Sequence, residues 1–521
     1  MAPDILIGVD AGTSVIKSVA FTAGGEQIAM ASRPNSYQTP GPGHVEQDMP
    51  RTFADCAATL RDLGSLVPDL AKRTIALAVT GQGDGTWLID RDGEPVGGGL
   101  LWLDSRAAGL VADYMQTDAY PAHYQSTGSG LNACMASGQI AWMQAHQPER
   151  LARATTAFHC KDWLYFKLTG ERVTDPAEAN FTFGNFRTRA YQPSIMAGMG
   201  IGGHAHLLPP VVEGTRTTHP LSAAAAGQTG LAAGLPVVLG YLDVVCTAIG
   251  GGISGGPGTV GISILGSTGM HMRYVPQADQ VRLNADRSGY TMCVPVDGAC
   301  AAMQSNMAAT LNIDWLLDRA VEAAAFAGAT ASRASLLAGM DERVLAAKPA
   351  EAVFHPYIFE AGERGPFLDP NARAQFSGLS TSTSLAGLFR SIYEGLAMAS
   401  RDCYTATGLL PGEVRLGGGA ARSKAMRAIM AAALNRPVRT LRREELGASG
   451  AVMMAAVAMG LYRDMGACVN AWVTPVLGGV TAPDETLSKT YDGLYPVYRN
   501  IREAMPPSWQ QLAALRRGSA A

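Results

Sequence analysis

The chain has 521 residues, 47% hydrophobic and 16% charged, with a formal net charge of −3. That length exceeds what one hydrophobic core serves, so two domains of roughly 200 to 250 residues each are expected, and the near-balanced charge argues against binding to nucleic acid or an anionic membrane. Eight cysteines without Cys-x-x-Cys spacing read as reduced thiols in a cytoplasmic protein, not as a zinc site or disulfide framework.

Residues 4–19 open as an apolar run (Ile5, Leu6, Ile7, Val9) with no basic or apolar leader ahead of it. The run breaks at Asp10-Ala-Gly-Thr-Ser14 and resumes as a second run containing Lys17, which predicts strand, turn and returning strand. A turn built from Gly12, Thr13 and Ser14 lets backbone N–H groups approach an anion, and Asp10 at the strand end can hold Mg²⁺ directly or through water. A plain hairpin turn fits the same residues. Ser14 and Lys17 also fit the S-x-x-K pattern of penicillin-binding enzymes, but its helix start and its S-D-N and K-T-G partners are missing.

A third strand is expected at 27–32 and a helix at 49–63, where Thr52, Phe53, Cys56, Leu60 and Leu63 form a stripe at helical spacing. Residues 74–80 are a continuous apolar run, as in a buried central strand, ending in the polar loop Gly81-Gln82-Gly83-Asp84-Gly85. A strand at 86–90 leads to 100–106, then mostly helical sequence, with an amphipathic helix at 158–168 closed by Thr169-Gly170. Residues 175–187 read as a loop, either facing a ligand or packed on the surface.

A buried strand at 235–240 precedes Asp243 and a helix, then a glycine-rich run from Gly250 to Gly256. Its formal G-x-G-x-x-G match follows a helix and precedes a turn, the reverse of a dinucleotide site, so it is read as a hinge or turn. Residues 258–266, the turn Ser267-Thr268-Gly269 and residues 270–275 repeat the opening strand, turn and strand about 250 positions later, which predicts an internal duplication. Helical runs follow at 312–326 and 331–338, then a loop at 355–370 and a long helix at 384–407. A short strand at 414–416 runs into Gly417, Gly418 and Gly419 and a helix to Leu434, a junction on which a flat ligand or phosphate can lie. Residues 448–461 are apolar but short for a bilayer and rich in Ala and Gly, hence a packed internal helix. From Glu485 onward the chain reads as a tail that packs or frays.

Together these turns resemble the FGGY family of carbohydrate kinases over nearly the whole chain. The matching residues are Asp10-Ala-Gly-Thr13 with Lys17, Thr80-Gly-Gln-Gly-Asp84-Gly85, Trp102-Leu-Asp104-Ser-Arg106, Gly240-Tyr-Leu-Asp243, Gly266-Ser-Thr268-Gly269, and the glycines from 417 followed by Leu446-Gly-Ala-Ser-Gly450. The resemblance implies an α/β fold of two duplicated actin-like (ribonuclease-H-like) ATPase domains with a central cleft. The first, at 1–247, would bind the sugar or polyol and carry the base; the second, at 248–485, would bind nucleotide, leaving a C-terminal tail at 486–521. The loop at 80–88 is most similar to the erythritol-phosphorylating branch, because Asp84 falls where xylulose and glycerol kinases carry His or Glu.

What the resemblance implies chemically is transfer of the γ-phosphoryl group of ATP to a terminal hydroxyl, by positioning and charge stabilisation. Asp243 would take the proton of the attacking hydroxyl, although its position alone also fits a helix N-cap. Gly12, Thr13, Ser14, Lys17, Thr268 and Gly269 would hold phosphates, and Asp10 would hold Mg²⁺ through water. Gly417, Gly418, Gly419, Ser423 and Asn435 would contact the nucleoside. Gln82, Asp84, Trp102, Asp104 and Arg106 would face a small polyol or sugar, with a structural Asp104–Arg106 ion pair and a packing role for Trp102 as the alternatives. A homodimer is compatible with this reading. The competing classes are a kinase of xylulose, ribulose or glycerol, a non-catalytic nucleotide-binding regulator, and a chaperone-like or actin-like ATPase.

Overall fold

The computed structural model describes residues 3–255 and 259–518. Gly256 and Gly258, which the sequence placed in the glycine run and at the start of a strand, lie outside the described residues.

The first half is built on β1 (Ile5–Ala11), β2 (Val15–Thr22), β3 (Gln27–Pro34), β4 (Thr74–Gly81), β5 (His219–Pro220) and β6 (Pro236–Leu239), in the sheet order β5-β6-β4-β1-β2-β3. β1 is antiparallel to β2 and parallel to β4, and β4 is parallel to β6. The second half uses β7 (Val260–Leu265), β8 (Gly269–Val275), β9 (Tyr290–Cys293), β10 (Cys300–Asn306), β11 (Glu413–Gly417), β12 (Val438–Leu441) and β13 (Leu477–Thr481), in the order β9-β10-β8-β7-β11-β12-β13. Here β7 is antiparallel to β8 and parallel to β11, and β11 is parallel to β12. The duplication expected from the two turns is therefore a duplication of pairing: β7 repeats β1, β8 repeats β2, β10 repeats β3, β11 repeats β4 and β12 repeats β6.

Period-two alternation decides what each face of β1 meets. Ile5, Ile7 and Val9 pack with Phe53, Cys56 and Leu60 of α1 (Met49–Leu66) and with Trp163 and Leu164 of α2 (Cys160–Thr169). Leu6 points the other way, into a core shared with α4 (Asp243–Gly250) and α9 (Leu446–Ala458), where residues of both sheets meet. Gly8 and Asp10 lie on that same face, so the face that carries Asp10 looks toward a helix of the second half. α9 is buried from Leu446 to Ala456, as the apolar run at 448–461 predicted, and no described helix is long and apolar enough to cross a membrane.

Residues 175–187 depart from the expected loop. They form α3 (Pro176–Phe183), capped by Asp175, with all of Pro176 to Phe183 buried. The polar pattern misled because its partner lies elsewhere in the chain: Asp175 Oδ2 is 2.7 Å from the fully buried ammonium of Lys161. In the second half, α5 (Thr310–Phe326), α6 (Met340–Ala346), α7 (Leu385–Ala406) and α8 (Lys424–Leu434) cover the outer face of the sheet.

The tail is ordered structure. α10 (Glu485–Ala504) buries Tyr491, Tyr495 and Tyr498 against α7 and α8, and Asp402 accepts from Tyr495 Oη at 2.9 Å and from Arg502 Nη1 at 2.6 Å; α11 (Pro506–Gly518) follows. On the solvent side of α10, Gly493 has nothing within 4 Å of where a Cβ would stand. Gly493→Ala should raise stability by about 0.5 to 1 kcal/mol, read as a higher denaturation midpoint, because alanine recovers helix propensity without a clash.

Candidate active site

The first turn leaves β1 at Asp10 and returns on β2, where Lys17 stands opposite Asp10 in register. Hydrogen bonds from distant segments hold the turn. Thr13 Oγ1 donates to Gln82 Oε1 at 3.0 Å and accepts from Trp102 Nε1 at 2.7 Å. Gln47 Nε2 donates to the Thr13 carbonyl at 3.0 Å while its Oε1 accepts from Gln82 Nε2 at 2.7 Å, and Asn35 Nδ2 donates to the Gly12 carbonyl at 2.8 Å. Trp102 and Gln82, expected on the polyol, thus meet the turn itself: Trp102 through Thr13, and Gln82 through Thr13 and Gln47. Gln47 and Asn35 carried no sequence signal, because lone amides outside any motif acquire meaning only through their partners. Ser14 is exposed at the tip of the turn.

Lys17 is engaged across the two halves. Its Nζ donates to Glu445 Oε1 at 3.0 Å and Oε2 at 2.8 Å, at the entry to α9. Glu445 is a further site residue that no motif marked. Asp10 is half-buried at the cleft; burial pushes its carboxyl up to about 6, with Lys17 opposing and Glu445 reinforcing the shift. A Cβ on Gly447 would stand 2.3 Å from Asp10 Oδ2, so the glycine is what lets α9 begin against this carboxylate.

The loop after β4 carries Asp84 in the left-handed region, at φ +56. Its Oδ2 receives only a long contact from Cys134 Sγ at 3.7 Å, and its buried Oδ1 has no hydrogen-bond partner. Burial pushes Asp84 up to about 6 against the pull of His159 and Arg364. Asp243 is the first residue of α4, and its Oδ1 accepts the Val244 N–H at 2.7 Å. Burial first, then the charge of Asp10, then that of Asp84, push the Asp243 carboxyl up to about 7 despite N–H bonds from Val244 and Gly83. Asp10, Asp84 and Asp243, on three separate segments of the chain, therefore share one electrostatic neighbourhood. A carboxyl with this value is poised to exchange a proton near neutrality.

The following motif resolves differently. Asp104, 2% exposed, accepts from Arg106 Nε and Nη2 at 2.8 to 3.0 Å and from the Val45 N–H at 2.6 Å, while Arg106 Nη2 also reaches Glu46 Oε1 at 2.7 Å. The two side chains meet in a bidentate ion pair, the structural alternative that the sequence left open beside a place on the polyol.

On the second half, the turn after β7 is closed by the Gly266 N–H on the Thr268 carbonyl at 3.0 Å and tied to α5 by Thr310 Oγ1 on the Gly266 carbonyl at 2.9 Å. Thr268 is exposed and Gly269 is buried at the start of β8. Gly417 ends β11, Gly418 and Gly419 follow it, and the three line a cleft of about 790 Å³ together with Asp10, Lys17 and Arg422. Gly418 has φ +81, and a Cβ there would meet the Leu265 carbonyl oxygen at 2.5 Å. Gly419 and Arg422 also line a second cavity of about 450 Å³, whose walls include Ile313, Leu317, Met340 and Met426. A polar cleft and a more apolar cavity that share Gly419 and Arg422 have the make-up of a site for a phosphorylated, flat-ringed ligand.

Ser423 caps α8, accepting the Met426 N–H at 3.0 Å, and donates to Asp341, which also accepts the Lys424 N–H at 2.7 Å. Asn435 stands at the other end of α8. It is the left-handed C-cap of α8 at φ +49, one helix of 11 residues from Ser423. At 1.5 Å per residue the helix separates it from Ser423 by about 18 Å. An Asn immediately after a helix marks a C-cap, and that signal was present in the sequence.

Family models for the N-terminal and the C-terminal domains of the FGGY family of carbohydrate kinases match residues 5–250 and 261–459. The chain is 49% identical to the erythritol kinase of Brucella abortus (strain 2308) over 511 residues, 98% of each chain. Among solved structures it resembles the xylulose kinase from Rhodospirillum rubrum, with TM-score 0.85 and 26% identity over 97% of this chain and all of that one. It shares its fold with the gluconate kinase from Lactobacillus acidophilus at TM-score 0.87, with 21% identity over 98% of this chain and 99% of that one. With both halves matched and a relative this similar along its whole length, the chain belongs to the FGGY family of carbohydrate kinases and is an ATP-dependent phosphotransferase acting on a small hydroxylated substrate.

Proposed function

We propose that this kinase phosphorylates erythritol at a terminal hydroxyl. The observation that carries the reading is Asp84: an unpartnered, buried carboxylate oxygen beside the loop that follows β4, within the electrostatic reach of Asp243. A neutral tetritol offers only hydroxyl groups, and a carboxylate that must otherwise stay unsatisfied is stabilised by accepting from them. The 49% identity to an erythritol kinase over 98% of both chains supports the same substrate.

In this reading the half at 1–247 holds the polyol and the half at 248–485 holds the nucleoside. Asp243 accepts the proton of the attacking hydroxyl at a carboxylate oxygen as the transition state forms. Gly12, Thr13, Ser14, Thr268 and Gly269 present the two turns to the phosphates, while Gln82, Gln47 and Trp102 hold Thr13 in place. Lys17 exchanges Glu445 for a phosphate oxygen. Gly418 and Gly419 carry the nucleoside, with Ser423 fixing the start of α8 behind them.

No group of three or more His, Cys, Asp or Glu that could hold a metal occurs among the described residues. Asp10 therefore fits Mg²⁺ as a single carboxylate whose other ligands are water and phosphate oxygens, which is how Mg²⁺ is commonly bound. When bound, Mg²⁺ neutralises charge on the transferring phosphoryl group. A cytoplasmic location belongs to the same proposal, supported by eight buried cysteines left as thiols.

The test is ADP release with erythritol, xylulose, ribulose and glycerol as acceptors. Erythritol should give the highest kcat/KM, and Asp84→Asn should lower that value about tenfold or more while leaving the KM for ATP within about twofold. Equal or faster turnover of a ketose would rule out the assignment.

A further inference from the structure

The turn that delivers Asp243 is held from both halves of the molecule. Gly240 N–H donates to the Val79 carbonyl at 2.8 Å, and the carbonyl of Tyr241 accepts from Thr80 Oγ1 at 2.6 Å, so the first sheet fixes its backbone. The Tyr241 side chain is fully buried, and its hydroxyl donates to Glu213 Oε2 at 2.6 Å. Glu213 Oε1 accepts from Thr215 Oγ1 at 3.1 Å, and its Oε2 lies 3.7 Å from Arg189 Nη1.

Arg189 does not stop there. Its Nη2 donates to the carbonyls of Val294, Val296 and Ala299 at 3.0, 2.6 and 2.7 Å, which form the turn between β9 and β10 in the second half. The same turn is met by Arg216, whose Nη2 reaches Asp297 Oδ2 at 2.5 Å from the segment that carries Glu213. One continuous chain of contacts thus runs from the base-bearing turn of the first half to a hairpin of the second. Arg189 sits in the left-handed region at φ +56, a conformation that bulky residues adopt only when the surroundings impose it.

We propose that Arg189 and Glu213 are positioning residues that set the Asp243 carboxylate against the acceptor hydroxyl by tying its turn to the β9–β10 hairpin. The proposal rests on the reading of Asp243 as the base. Neither side chain is placed on substrate; both act through Tyr241. A displacement of about 1 Å at a reacting group costs up to about 10²-fold in rate, so a strap two residues from the base has leverage on kcat that it lacks on binding.

The experiment is steady-state kinetics on Arg189→Ala, Tyr241→Phe and the double variant, with Asp243→Asn alongside and folding checked by circular dichroism. Arg189→Ala should lower kcat about tenfold with the KM for acceptor and ATP within about twofold, because the lost contacts act on the placement of the base and not on either substrate. Tyr241→Phe, which removes one hydroxyl and should fold even if Arg189→Ala does not, should lower kcat about fivefold, and the double variant should be little worse than Arg189→Ala alone. Unchanged kcat in folded Tyr241→Phe, multiplicative effects in the double variant, or a rise in KM alone would overturn the strap. Retained turnover in Asp243→Asn would overturn the base reading instead, so the two failures are told apart.

Discussion

Asp243→Asn should lower kcat by about 10²-fold or more while nucleotide affinity, measured by direct titration, stays within about twofold. Asparagine keeps the shape and an oxygen that can accept the Val244 N–H, which Asp243 Oδ1 accepts at 2.7 Å, so the start of α4 is preserved. What is lost is the capacity to take a proton. The carboxyl is suited to that work because burial and the charges of Asp10 and Asp84 push it up to about 7, well above an ordinary aspartate. A residual kcat within about tenfold of wild type would mean that the acceptor hydroxyl loses its proton without this group.

Gly450→Ala should destabilise the fold by about 3 kcal/mol or more, read by chemical denaturation against Gly493→Ala as the benign control. α4 and α9 cross where both helices carry glycine. A Cβ on Gly450 would stand 1.9 Å from the Cys246 carbonyl oxygen, and one on Gly250 would stand 2.1 Å from that of Leu446. Both obstacles are backbone, so no rotamer relieves them and the helices must separate. Separation would also move Gly447 away from Asp10, and turnover should fall together with stability. A midpoint unchanged from wild type would show that the crossing tolerates widening.

The apolar runs were legible because burial on both faces of a central strand leaves little choice of residue type: β1, β4, β6 and β7 all stand where such runs predicted them. The two turns were legible as repeats because each follows such a run. The inward-facing helix α3 was not, since Asp175 is polar in sequence and neutralised only by Lys161, fourteen positions earlier on another helix. The loop at 100–106 was legible as a motif, yet nothing local told whether Asp104 would turn to Arg106 or to a ligand.

The sequence by itself determined the duplicated α/β plan, the family, and the segments from which the site is made, because alternating burial and turn chemistry are properties of neighbours along the chain. Only the tertiary structure decided what each side chain is paired with. Gln82 lies between Thr13 and Gln47, Lys17 meets Glu445, 428 positions away, and Arg106 meets Asp104, whereas Asp84 keeps an unpartnered oxygen. A side chain's availability depends on where its hydrogen-bond partners lie in space, and that is settled only when the two halves close on the shared layer of α4 and α9.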